Sequence, residues 1–213
     1  MLTSITPLGE RGRRARWGVT VAWYLIGSVL AGAGLGAVAG LSGQLGAGVI
    51  HAAGLHPPAG VGLALLSLAA AAGAVADTAV HGRALPGPRR QVDEDWLARY
   101  RGWVYGGGFG VQLGVGVSTI VTSASVYVTW AAAALSASPG AGAVIGVVFG
   151  LARGLPVLGM RRVRSAATLA AVHRRLAAAE PAARRATVAA LGLVAAVGTT
   201  AAAALLTSSA GGT

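Results

Sequence analysis

Long apolar stretches separated by short polar segments dominate this chain of 213 residues. Five of the stretches are long enough to cross the hydrocarbon core of a bilayer, roughly 30 Å thick, which requires about 20 helical residues. The pattern predicts an all-α fold, a polytopic transmembrane helix bundle. A sixth span arises if residues 43–57 also enter the membrane. The five predicted spans are residues 17–42, 59–80, 103–133, 140–160 and 186–207.

The polar segments alternate between arginine-rich and uncharged ones. Arginine-rich segments stay on the cytoplasmic side of a membrane, so we expect a cytoplasmic N-terminus and an external C-terminus. The second transmembrane group contains a basic cytoplasmic segment, residues 161–185. The predicted regions are a cytoplasmic basic N-terminus (1–16), a first transmembrane pair (17–80), a cytoplasmic charged loop (81–102), a second transmembrane group (103–207) and an external tail (208–213).

Glycine recurs at every fourth position in three of the apolar stretches, which places these glycines on one stripe of each helix. Small residues on a stripe let a neighbouring helix backbone approach closely in a membrane. Two interpretations stay open: packing within the chain, and a seam for a homo-oligomer or another membrane protein. The stripes are Gly32, Gly36 and Gly40, then Gly106, Gly110 and Gly114, then Gly142, Gly146, Gly150 and Gly154.

The composition agrees with a membrane protein, because 54% of residues are hydrophobic and 11% are charged, against about 25% charged in soluble domains. The net charge of +11 does not indicate nucleic-acid binding, since the arginines cluster between apolar spans. All 17 basic residues are arginine, which together with abundant alanine and glycine is typical of a high-G+C bacterial genome. We therefore expect a bacterial inner-membrane protein.

The basic segment 161–185 predicts an alanine-rich helix interrupted at Pro181. Each arginine near an anionic leaflet contributes about 1 kcal/mol of binding. We expect this helix to lie on anionic inner-leaflet lipids, so that the lipid bilayer is the main partner.

Two charged residues fall inside predicted spans, Asp77 and Arg153. Intramembrane charges cost roughly 3 kcal/mol at the bilayer centre and are often functional. Their spans run in the same direction, so the two groups are expected at similar depth. One interpretation is a structural ion pair or interfacial anchoring, and the other is a polar substrate path that also includes Gln112 and Thr119. Pro156 predicts a kink close to Arg153.

No nucleophile with a matching base is recognisable, and the four histidines have no ligand partner at helical spacing. We expect no enzyme activity, no metal and no cofactor. The absence of cysteine excludes disulfides and thiolate chemistry.

Residues 89–116, RRQVDEDWLARYRGWVYGGGFGVQLGVG, and residues 149–158, FGLARGLPVL, are similar to uncharacterised bacterial multi-pass proteins. Through them the chain remotely resembles the thiol–disulfide transmembrane transporter family of cytochrome c biogenesis and the lysine-exporter-like group. The resemblance implies a repeated helix-bundle architecture. It does not imply electron transfer, since the paired membrane cysteines of that family are missing here. That family also has six spans rather than five.

These features predict a small transporter or permease-like protein of unknown substrate. Its polar path is formed by Asp77, Arg153, Gln112 and Thr119. The alternative is a non-transporting membrane scaffold or assembly subunit that packs against partners through its glycine stripes.

Overall fold

The computed structural model describes residues 5–79, 96–116 and 123–210, and every regular element in these ranges is a helix. We label them α1 to α8 in chain order, with one 3₁₀ helix between α7 and α8. Their bounds are α1 Pro7–Gly12, α2 Trp17–Ala52, α3 Val61–Ala79, α4 Trp96–Arg99, α5 Gly102–Val115, α6 Ser125–Leu135, α7 Pro139–Gly154, the 3₁₀ helix Leu155–Arg162 and α8 Ala166–Ala210.

Four helical stretches of the described residues are long and apolar enough to cross a membrane. Such stretches are typical of a multi-pass membrane protein, in which backbone groups must find their partners within the helix. The four are Trp17–Ala52, Val61–Ala79, Pro139–Arg162 and Ala166–Ser208.

Two predicted spans differ from the observed helices. The first helix, α2, continues to Ala52, so residues 43–52 extend the first span instead of starting a separate one. The third predicted span contains two helices, because α5 ends at Val115 and α6 begins at Ser125. Gly116 has a φ of 73°, a left-handed conformation that ends a helix and suits glycine. Neither short helix reaches the length of a membrane crossing.

The two prolines have different effects. At Pro156 the α-helix α7 gives way to a 3₁₀ helix that begins at Leu155. Proline lacks an N–H, and its ring excludes the carbonyl four residues earlier from the α-helical pattern. At Pro181, by contrast, α8 continues without interruption, so the predicted break is wrong. The surrounding alanines have the highest helix propensity, and they outweigh the single lost hydrogen bond.

The chain divides into two compact units. The helices α2, α7 and α8 each contribute residues to both units. The first unit contains Met1–Gly34, Gly87–Ile120 and Gly146–Ala182, and the second contains Leu35–Pro86, Val121–Ile145 and Ala183–Thr213.

In the first unit, α5 lies directly against the backbone of α2. A Cβ atom on Gly106 would come within 2.5 Å of the Thr20 carbonyl oxygen, and one on Gly110 would overlap the Tyr24 carbonyl. Gly27 of α2 approaches α5 in the same way. Beside this contact lies the apolar core of the unit, formed by Ile5, Val21, Tyr24, Tyr105, Phe109 and Val157.

The helix α7 also approaches α2 within this unit. The Ser28 hydroxyl donates a 2.9 Å hydrogen bond to the Gly150 carbonyl oxygen, and Ser28 is fully buried. A Cβ atom on Gly146 would overlap the carbonyl of Gly32, while one on Gly154 would come within 3.0 Å of the Leu25 side chain. The α2 backbone between Ser28 and Gly32 therefore lies too close to α7 for any side chain larger than glycine at Gly146 and Gly150.

In the second unit, the remaining part of α7 approaches α2 through Gly142, where a Cβ atom would overlap the Gly36 carbonyl. Gly40 lies equally close to the carbonyl of Ser138. A separate apolar cluster joins α3, α6 and α8 through Ala70, Val128 and Leu191.

Candidate functional site

The carboxylate of Asp77 lies at the first residues of α6. Asp77 is only 6% exposed. One carboxylate oxygen accepts a 2.7 Å hydrogen bond from the Ser123 hydroxyl, and the other accepts a 2.7 Å bond from the Ala124 backbone N–H. The Ser123 hydroxyl oxygen also accepts from the Ser125 backbone N–H. Asp77 thus supplies, from α3, the negative charge that an α-helix favours at its N-terminus.

Arg153 lies beside the C-terminal end of α5. Its guanidinium is 5.4 Å from the ring centroid of Phe149, one turn earlier on α7. A Cβ atom on Gly116 would lie 2.7 Å from the Phe149 ring and 3.3 Å from Nη1 of Arg153. The half-buried arginine is therefore positioned by an aromatic face and by the glycine that follows α5.

The structure describes three of the four residues of the predicted polar path, Asp77, Gln112 and Arg153. Asp77 belongs to the second unit, whereas Arg153 and Gln112 belong to the first. Gln112 is half-buried on α5, and its backbone carbonyl accepts a bond from the Gly116 N–H. Thr119 lies outside the described residues. The pairing of Asp77 with Arg153 stays a prediction.

A second polar cluster surrounds Glu10, which is 1% exposed. Its oxygens accept hydrogen bonds from the Thr20 hydroxyl at 2.7 Å and from the Tyr105 hydroxyl at 2.6 and 2.7 Å. Arg13 completes the cluster with a 2.8 Å salt bridge to Glu10. The cluster connects α1, α2 and α5 at the beginning of the chain's first long helix.

Arg13 is held in its charged state by these neighbours. Burial by itself would lower its pKa, but hydrogen bonds and charge attraction from Glu10 and Tyr105 outweigh burial and raise the pKa. Its guanidinium also lies 5.6 Å from the ring centroid of Tyr105. Arg13 consequently remains a cation at every physiological pH.

The sequence does not single out Glu10, because one acid among the arginines of residues 1–16 is typical of a solvated basic tail. One local signal was present. Thr6 followed by Pro7 is a typical helix start, and in the structure the Thr6 hydroxyl oxygen accepts a 3.1 Å bond from the Gly9 N–H. Recognising this start would have placed Glu10 and Arg13 three residues apart on or beside a helix.

Neither polar cluster resembles a metal centre. In residues 5–79, 96–116 and 123–210, no group of three His, Cys, Asp or Glu side chains is placed to hold a metal ion. The Asp77 carboxylate is suited to binding a cation, because its oxygens accept from hydrogen-bond donors and attract positive charge.

No protein-family model matches the chain, and no solved structure matches it. The chain is 32% identical over 163 residues to "Methylamine utilization protein MauF" of Paracoccus versutus. The match covers 73% of this chain and 56% of MauF, so the chain spans little more than half the length of its relative. The resemblance to thiol–disulfide transporters stays a prediction.

Proposed function

We propose that the chain is a small permease-like transport protein of five membrane crossings that serves methylamine utilization or a related process. The similarity to MauF supports the association with methylamine utilization. The relative's name does not say what that protein carries, so the substrate stays open. The resemblance to thiol–disulfide transporters implies a repeated helix bundle, and that architecture stays part of the proposal.

The proposed third crossing consists of α5 and α6 together. With 14 and 11 residues, the two helices measure about 21 and 16 Å at 1.5 Å per residue. Each helix alone is too short for the roughly 30 Å of a bilayer core, and their combined length is more than sufficient. Helices that stop partway across a membrane are characteristic of transporter binding sites, because their free ends present backbone groups to a solute.

The observation that carries the proposal is the Asp77 carboxylate at the first residues of α6. This buried carboxylate accepts two hydrogen bonds from Ser123 and Ala124 at the start of α6, and a cation bound to it would compete for the same oxygens and weaken its hold on α6. Ion exchange at Asp77 would thereby be coupled to the position of a helix end, as transport requires. Arg153, at the other short helix, is the proposed second charge of the path.

Reconstituted vesicles test this proposal. Purified protein is placed in liposomes that contain a pH-sensitive dye, and methylammonium, ammonium and a set of small amines and amino acids are added outside. The wild type should move at least one solute, and Asp77→Asn should reduce its initial rate about tenfold or more, as losing an intramembrane functional charge does. Glu180→Gln, which removes an exposed acid from α8, should leave the rate unchanged.

Two results would count against the proposal, the first against transport itself and the second against the role of Asp77 in it. One is a correctly folded wild type that moves none of these solutes. The other is equal uptake by wild type and Asp77→Asn, which would make Asp77 a purely structural cap.

The second candidate is a non-transporting assembly subunit. The exposure of α8 favours this candidate, because only 11% of its most apolar 18 residues are buried within the protein. Such an open apolar helix fits a partner helix as well as it fits lipid. A subunit of this kind tolerates Asp77→Asn without loss of function and depends instead on the exposed face of α8.

A further inference from the structure

A pocket of about 490 Å³ opens where α2 and α5 begin. All of its lining residues belong to the first unit. The lining includes four arginines and two aromatic residues that bear on its chemistry: Arg13, Arg14, Arg16, Arg101, Tyr100 and Trp103.

The pocket carries a positive charge that is not cancelled by Glu10. That carboxylate is buried and is already engaged by the salt bridge to Arg13. Three further arginines, Arg14, Arg16 and Arg101, line the same space and are exposed. Several guanidinium groups around one cavity suit a phosphate, whose oxygens accept the paired hydrogen bonds that arginine donates.

The backbone adds to this charge. Arg16 precedes α2, and its carbonyl accepts from the Thr20 N–H, while Arg101 precedes α5, and its carbonyl accepts from the Tyr105 N–H. Both arginines therefore stand at helix N-termini, where the helix dipole is positive. Arg101 makes no side-chain capping bond to α5.

The turn that presents these arginines is strained. Arg14 has a φ of 55°, which is costly for a residue with a side chain. The turn is held by backbone bonds from Arg14 N–H to the Arg11 carbonyl at 3.2 Å and from Ala15 N–H to the Glu10 carbonyl at 2.9 Å. Strain of this kind clusters at binding sites, where it fixes the direction of a side chain.

Aromatic side chains place the pocket at the membrane surface. Trp23 and Trp103 pack with ring centroids 5.9 Å apart, and they are 44% and 49% exposed. Exposed tryptophans near the ends of membrane helices lie at the level of lipid headgroups. At that depth the phosphates of lipid headgroups are more abundant than free phosphate dissolved in water, so a lipid phosphate is the expected ligand.

We propose that this pocket binds the phosphate of an anionic phospholipid headgroup. The proposed site differs from the basic segment 161–185, where contact with anionic lipid is expected from diffuse charge. It also does not depend on whether the protein transports a solute. The three exposed arginines bind the phosphate, and Glu10 with Arg13 fixes the pocket wall.

Native mass spectrometry of the protein in neutral detergent tests the site. Phosphatidylglycerol is titrated against wild type, against the triple variant Arg14→Gln, Arg16→Gln, Arg101→Gln, and against the control triple Arg164→Gln, Arg174→Gln, Arg175→Gln. We expect phosphatidylglycerol binding at least about tenfold weaker for the pocket triple, and a several-fold smaller loss for the control triple, whose arginines attract anionic lipid only through diffuse charge. Wild type should bind phosphatidylcholine more weakly than phosphatidylglycerol.

Equal losses in both triples would overturn the proposal, because they would indicate diffuse attraction. Unchanged binding in the pocket triple would overturn it as well. Displacement of phosphatidylglycerol by inorganic phosphate at millimolar concentration would identify a free-phosphate site instead of a lipid site. If the triple variant does not fold, the single variant Arg14→Gln decides the outcome, with an expected loss of about fivefold.

Discussion

At the scale of single residues, the Glu10 carboxylate stands out because it is buried and has three side-chain partners. It accepts from Thr20 and Tyr105 and forms a salt bridge with Arg13. A buried carboxylate is stable only when such partners replace its water. Removing it would leave Arg13 and two hydroxyl groups without their acceptor.

We therefore predict that Glu10→Ala lowers the free energy of unfolding by about 3 kcal/mol, in the range found when one member of a buried pair is removed. Glu10→Gln should cost less, because the amide oxygen still accepts from a hydroxyl. The measurement is unfolding of the purified protein in mixed micelles, with Glu180→Ala on the exposed face of α8 as control. Equal effects of Glu10→Ala and Glu180→Ala would show that the cluster does not stabilise the fold.

The sequence could indicate Asp77 and Arg153 as unusual, because charges are rare in apolar stretches. It could not indicate which groups surround them. The partners of Asp77 lie 46 and 47 residues away, and such long-range contacts leave no periodic pattern. Glu10 was missed for the opposite reason, since a charged residue among arginines near the chain start is typical of a solvated tail.

At the scale of helices, hydropathy gave good positions for the apolar segments but not their continuity. Residues 103–133 contain no charged side chain, yet α5 ends before Gly116. The end depends on one left-handed backbone angle, which hydropathy does not record. At Pro181 the opposite occurs: a residue type that breaks many helices lies inside α8, and the helix continues.

The glycine stripes give a prediction at this scale. Gly146 of α7 approaches the α2 backbone closely, whereas a Cβ atom on Gly192 of α8 would meet nothing within 4 Å. Gly146→Leu should therefore prevent folding, by overpacking that costs several kcal/mol. Gly192→Leu should fold normally. Monodispersity and thermal unfolding in detergent measure both effects.

The same pair separates the two candidate functions. If the chain is an assembly subunit, Gly192→Leu should lose its partner in crosslinking within native membranes while the fold persists. Retention of every crosslink by Gly192→Leu would speak against a partner at this face of α8. Normal folding of Gly146→Leu would contradict the close approach of α7 and α2.

At the scale of the whole molecule, we propose that α5 and α6 share the third crossing of a helical membrane protein. Four helical stretches of the described residues are individually long enough to span a bilayer, which by itself would place both termini on the same side. Adding α5 and α6 as one crossing gives five and places the termini on opposite sides. The direction of every later helix depends on this one crossing.

The most direct measurement is cysteine labelling, and because the chain has no cysteine of its own, only the introduced thiols react. Single cysteines are introduced as Arg14→Cys, Arg101→Cys, Ala137→Cys and Arg174→Cys, and intact cells are treated with a maleimide that does not cross the membrane. Five crossings predict labelling of the variant at position 137 and protection of those at positions 14, 101 and 174 until the cells are permeabilised. If positions 101 and 137 are labelled alike, α5 and α6 do not cross the membrane together, and the proposed third crossing is wrong.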